Sequence, residues 1–201
     1  ANGKDILFKN KNNYTYFLSK YKHYILPVSD LFCYCLMPNH FHFIVKIKPE
    51  AVIEKLIFKH IESYKHNKRL KHYNSLQGIN KHKATSFYLT NRWSHFFNSY
   101  TQAFNKLNNR KGSLFMRNYK RKKIGDEQYL RKLIHYVHHN PLSAGLVTRL
   151  EDWKFSSYYT FLSHKPSNLM RKEVIEIFDG IENFKFCHQT PPELTGIDKY
   201  I

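Results

Sequence analysis

The chain has 201 residues, enough for one globular domain with a sizeable core. Lys and Arg number 33 against 15 Asp and Glu, with 13 His besides, for a formal net charge of +18. With 16% aromatic residues, that excess suits a nucleic-acid partner better than a membrane surface. No apolar run approaches the ~20 residues of a membrane helix, and no signal-peptide pattern is visible. No membrane partner is expected. Cys33 and Cys35 sit two apart in an expected strand, too extended to bridge each other. With Cys187 they read as reduced thiols of a cytoplasmic protein.

Residues 1–10 carry little structural signal. Tyr14, Phe17, Leu18, Tyr21, Ile25 and Leu26 recur at three- and four-residue spacing, which predicts an amphipathic helix over 11–26, ended by Pro27. Residues 31–37 (LFCYCLM) predict a buried strand, Pro38-Asn39 a turn and residues 40–47 a second strand, making a hairpin. From 50 to 92, Lys, His, Asn and Tyr dominate. Val52, Leu56, Phe58 and Ile61 show helical spacing, whereas Asn74 to Lys83 reads as a loop. The stretch is an insertion between core elements, either a solvated surface lobe or a DNA-contacting one.

Helical spacing returns from Trp93 to Leu107, and Asn108 to Gly112 is a turn. Residues 113–124 combine a short apolar piece with a basic run, expected as a strand over 117–123. Arg110, Lys111, Arg117, Lys120, Arg121, Lys122 and Lys123 place seven positive charges in fourteen residues with no acid. Asp126 is the expected N-cap of a helix with the apolar face Tyr129, Leu130, Leu133, Ile134 and Val137. Asn140-Pro141 is expected to end it, because a residue before proline is pushed out of the helical region. Residues 153–162 and 171–178 predict short helices, with Gly180 stopping the second and a Pro-containing tail after it.

Two patterns carry chemistry. On a strand, His40 and His42 share a face, close enough to hold one divalent metal, while Phe41 and Phe43 point into the core. On the helix, Tyr136 sits at the edge of the apolar face. Asn140 is four residues on and about 40° away, so a phenol and an amide oxygen stand side by side. His135 and His138 point elsewhere, and His139 rivals Asn140. Each pattern alone has a plainer reading: a structural histidine pair, a packed tyrosine, an ordinary helix end and a solvated basic face.

Tyr34 to His42 (YCLMPNHFH), Asn98 to Asn105 (NSYTQAFN), Arg110 to Phe115 (RKGSLF), Tyr136 to Val147 (YVHHNPLSAGLV) and Trp153 to Tyr158 (WKFSSY) are spread over residues 31–160. In that order they resemble the single-tyrosine HUH transposases, most of all the REP-associated tyrosine transposases. Residues 1–8 resemble the region just after the family's first strand; that strand is expected to be missing here, which would leave a sheet edge open or filled by a partner's strand.

The resemblance implies an α+β, ferredoxin-like fold: an antiparallel sheet with helices on one face and the histidines on a central strand. A catalytic domain would span 1–160 with the basic insertion at about 50–92, and a C-terminal helical extension and tail would span 161–201. It implies Mg²⁺ or Mn²⁺ on His40 and His42, with Asn140 as a third ligand. Tyr136 would cleave and rejoin single-stranded DNA at hairpin-containing sites through a 5′-phosphotyrosine. The protein would be a monomer or homodimer, nucleoid-associated when bound to DNA. The basic residues would run along the DNA backbone, with a log–log salt slope of about −0.7 per phosphate. Two other classes stand beside this one: a non-catalytic binder of hairpin DNA or RNA on the same fold, and a structural zinc protein. Scattered histidines without paired cysteines at ligand spacing speak against the last.

Overall fold

The computed structural model describes residues 6–64, 81–116 and 120–197. Its centre is an antiparallel hairpin of β1 (Ser29–Met37) and β2 (His40–Ile47). The register pairs Met37 with His40, Cys35 with His42 and Cys33 with Ile44 on one face, and Leu36 with Phe41 and Tyr34 with Phe43 on the other. A bulge between Leu31 and Cys33 shifts the alternation. Leu31 therefore packs with the second set, while Cys33 and Cys35 pack with the first.

Among the described residues β2 is the outer strand, not a central one. The far edge of β1 is covered instead by irregular chain. Leu36 N–H donates to the Phe155 carbonyl at 2.9 Å, Ser157 N–H to the Tyr34 carbonyl at 2.9 Å and Met170 N–H to the Leu31 carbonyl at 2.8 Å.

The fold is α+β as expected, but helices cover both faces of the hairpin. α1 (Lys11–Tyr24) and α3 (Lys81–Leu107) bury Phe17, Tyr21, Phe96 and Tyr100 against the face of Leu36, Phe41 and Phe43. α4 (Glu127–Ser143) lays Leu133, Ile134 and Val137 on the face of Cys33, Cys35 and Ile44. α5 (Tyr158–Leu162), α6 (Arg171–Ile177) and α7 (Ile181–Cys187) complete that second layer with Phe161, Val174 and Phe184. The reason is local. Both faces of β1 are apolar, so each needs its own cover. The C-terminal extension thus shares a core with the hairpin.

Several boundaries differ from the expectation. α3 begins at Lys81, so residues 81–83 are helical rather than loop, and residues 74–80 lie outside the described residues. The extra turns carry a thin apolar stripe in which Tyr88 meets Ile53 and Ile57 of α2 (Glu50–Tyr64) and Val28. The insertion thereby packs a small apolar cluster against Val28. Lys120 to Ile124 form no regular strand, and Arg117 lies outside the described residues.

α4 starts where expected: the Asp126 carboxylate accepts from Tyr129 N–H at 2.7 Å. It does not stop at Asn140-Pro141. Proline removes one N–H, but Pro141 lies within the final turn. The helix closes in a Schellman arrangement, with Gly145 at φ 66°, Gly145 N–H donating to the Leu142 carbonyl and Leu146 N–H to the Pro141 carbonyl. Gly180, expected only as a stop, is also the N-cap of α7, which lies within the expected tail.

Candidate active site

His40 and His42 stand at the start of β2 on the face turned toward α4. Their ring centroids are 5.1 Å apart, and the planes cross at 84°. The Asn39 amide oxygen is 2.7 Å from His40 Nδ1. A carboxamide oxygen only accepts, so Nδ1 carries the hydrogen and Nε2 presents its lone pair. His42 Nε2 is buried and has no hydrogen-bond partner among the described residues. Burial, then the neighbouring His40, pushes the His42 pKa down to about 4, and burial lowers that of His40 as well. Both imidazoles are therefore neutral near pH 7, the form that ligates a cation.

α4 brings the other half. Because Leu133, Ile134 and Val137 are held in the core, the edge position Tyr136 falls against β2. Its ring centroid is 6.0 Å from that of His42, nearly edge to face at 77°, within one chain. One turn on, the Asn140 amide N–H donates to the Tyr136 carbonyl at 2.8 Å. That bond uses the amide nitrogen and leaves the oxygen, the atom a cation would take, outside it. His139 is buried and its Nδ1 is 2.9 Å from the Ser143 hydroxyl. Among the described residues no three His, Cys, Asp or Glu side chains gather where a metal ion could sit. A cation at the histidine pair therefore needs ligands of another kind, such as the Asn140 amide, water or an anionic substrate.

The donor set fits such a cation. A buried nitrogen with no partner costs roughly 1–3 kcal/mol, and a metal would satisfy it. All the donors are neutral, so the full positive charge would face an anion.

The expected basic contacts divide. The Arg110 guanidinium reaches the Ser113 carbonyl at 3.0 Å, the Asn105 amide oxygen at 3.2 Å and the Gly112 carbonyl at 3.3 Å, clamping the turn after α3. Lys111, Lys120, Arg121, Lys122 and Lys123 are exposed. Lys122 Nζ lies 5.0 Å above the Tyr129 ring. Tyr129 precedes Tyr136 by two turns on the same face of α4, about 10 Å along the axis, so the basic run passes beside the candidate site.

A buried polar chain lies behind α4, and no sequence pattern points to it. His188 Nδ1 donates to the Phe184 carbonyl at 2.7 Å, so its Nε2 must accept from His138 Nδ1 at 2.9 Å. His138 Nε2 then accepts from the Ser157 hydroxyl at 2.8 Å. The available signal is faint: three histidines on α4 and one just after α7, with no spacing to join them.

Set against protein-family models, curated proteins and solved structures, the chain finds no match. No described helix is long and apolar enough to cross a membrane.

Proposed function

We propose that this chain is a metal-dependent DNA endonuclease and strand transferase, a transposase of the single-tyrosine HUH kind, acting on single-stranded DNA at hairpin-containing sites. The observation that carries the reading is the Tyr136 ring set 6.0 Å from His42, beside an imidazole nitrogen that is buried without a partner among the described residues. The ordered motif resemblance and the net charge of +18 support it.

His40 and His42, through Nε2, and Asn140, through its amide oxygen, would hold Mg²⁺ or Mn²⁺. Once bound, the cation supplies charge stabilisation to the scissile phosphate. Tyr136 Oη forms a bond to phosphorus and gives up its proton to solvent. The bond from phosphorus to the 3′ oxygen breaks, and that oxygen takes up a proton as a free 3′-hydroxyl. A phosphodiester is exchanged for a 5′-phosphotyrosine, so attack by a 3′-hydroxyl reverses the step without ATP. Asn140 also ties its own side chain to the Tyr136 turn, which keeps nucleophile and ligand in register. The exposed Lys120 to Lys123 run offers the backbone a positive track toward Tyr136.

A labelled hairpin oligonucleotide with a single-stranded flank, incubated with Mn²⁺, tests this. The wild-type chain is expected to give a detergent-stable adduct that Tyr136→Phe loses while retaining DNA binding. An unchanged adduct in Tyr136→Phe overturns the assignment. Tight, salt-sensitive binding without adduct under any metal would instead identify a non-catalytic hairpin DNA or RNA binder on the same fold, which the charge alone also favours.

A further inference from the structure

The charge is split between the two helical layers. No Asp or Glu occurs in residues 6–29 or 63–125, whereas nine of the 15 acids lie between Asp126 and Glu193. The acid-free segments contain α1 and α3, which pack together on the hairpin face opposite His40 and His42. A polyanion meeting that layer finds Lys9, Lys20 and Lys106 with no carboxylate on either helix to oppose them.

A groove of about 500 Å³ runs between these two helices. Its floor is aromatic: Tyr100 and Phe104 are almost fully buried, while Tyr16 on the rim is 37% exposed. The Tyr16 and Tyr100 rings are 6.2 Å apart. Cations sit over both margins, with Lys20 Nζ 4.9 Å above the Tyr16 ring and Lys9 Nζ 5.5 Å above Phe104. Asn12 and Thr15 add polar edges. An apolar peptide or a second copy of the chain would use the aromatic floor and the exposed Leu107 but leave the lysines without counter-charges. A base flanked by phosphates uses both features.

We propose that the α1–α3 groove is a second nucleic-acid contact, which takes one unpaired base against Tyr16 with Lys9 and Lys20 on the adjacent phosphates. Base stacking on an aromatic ring tolerates any sequence, because every base has a π-face. The contact lies away from Tyr136 and is one of binding, not chemistry. It rests on the reading of the partner as nucleic acid and is independent of whether Tyr136 cleaves.

The test uses the full chain and a single-stranded oligonucleotide carrying 2-aminopurine, with affinity and fluorescence followed in Tyr16→Ala, Lys20→Glu and Leu107→Gln. Tyr16→Ala is expected to weaken binding roughly 5- to 150-fold and to abolish the quenching that stacking produces. Lys20→Glu is expected to weaken binding and flatten the salt dependence, while Leu107→Gln, which adds no charge beside the phosphates, leaves binding within about twofold. Binding and quenching unchanged in both Tyr16→Ala and Lys20→Glu overturn the proposal. So does a wild-type dimer that Leu107→Gln dissociates, since the groove would then hold a second copy. The covalent-adduct assay separates the two claims: loss of oligonucleotide binding in Tyr16→Ala stands even if no adduct forms.

Discussion

Tyr136 and His42 meet edge to face in one chain, their ring centroids 6.0 Å apart. The contact joins α4 to the edge of the hairpin, and it places a phenol next to a histidine pair without help from a second protomer. Mixing Tyr136→Phe chains with His42→Ala chains should therefore restore no adduct. Recovery of adduct on mixing, read on a denaturing gel, would mean that α4 is exchanged between subunits.

The unpartnered His42 nitrogen predicts a conflict between stability and metal binding. His42→Phe removes a buried polar atom that has no partner among the described residues while keeping a ring against Tyr136. It is expected to stabilise the metal-free protein by about 1–3 kcal/mol. Wild type should gain about 2.7 kcal/mol from Mn²⁺ at a hundredfold excess over its dissociation constant, and His42→Phe should gain almost none. Thermal unfolding with and without Mn²⁺ reads both. Equal metal stabilisation in the two proteins would remove His42 from the site.

Asn39 fixes the tautomer of His40 through the 2.7 Å contact at Nδ1. Residues that orient a ligating histidine in this way are worth about 10- to 100-fold in metal affinity. Asn39→Ala should weaken Mn²⁺ binding by that factor in calorimetry, and Asn39→Asp, which keeps the acceptor, should restore it. The nitrogen-15 shifts of His40 in the metal-free chain should show mixed tautomers in Asn39→Ala and a single Nδ1–H form in wild type.

Acid should loosen the layer behind α4. Burial pushes the His188 pKa down to about 3 and that of His138 well below its ordinary value. Among the described residues the titratable groups that face them are Cys33, His135, His139 and Tyr158, and none is a carboxylate that could compensate a proton. A depressed folded-state pKa means that the stabilisation is complete above about pH 6.5, the unfolded value. It is lost as the pH falls toward 3, by up to about 1.4 kcal/mol per pH unit for each imidazole that takes up a proton on unfolding. Urea midpoints between pH 7.5 and 4.5 should fall in wild type and fall less in His188→Gln. Parallel slopes would contradict the pairing.

Sequence patterns suffice for part of this fold. The hairpin is legible because β1 and β2 are short apolar runs split by Pro38-Asn39. The α4 start is legible because Asp126 is a good cap. The His40 and His42 pairing follows from a period of two. The meeting of Tyr136 with His42 does not follow from any period, since it depends on how α4 lies across the hairpin. The N-terminal half of α3 is hidden because Tyr88 is its only buried residue before Phe96. The continuation past Pro141 is hidden because the Gly145 closure outweighs the local preference of a residue before proline. The cover on both hairpin faces is also written in the residues, since Leu31 to Met37 are apolar on both faces where a half-exposed strand would alternate.

Arg110 and the lysine run should separate in experiment. Arg110→Ala removes a guanidinium that clamps three turn acceptors, so its main expected effect is a loss of stability of about 1–3 kcal/mol. Lys122→Ala and Lys123→Ala should leave stability within about 0.5 kcal/mol. Each should reduce the salt slope of DNA binding by roughly 0.7 for every phosphate it no longer neutralises. A salt titration of the variants alongside their melting curves distinguishes the two roles.

Peptide mapping of the covalent adduct tests the central claim most directly. After incubation with Mn²⁺ and a hairpin oligonucleotide, nuclease and protease digestion should leave one modified peptide, carrying a 5′-linked nucleotide on Tyr136. An adduct on any other residue, or no adduct from a wild-type chain that binds both the metal and the oligonucleotide, would contradict it.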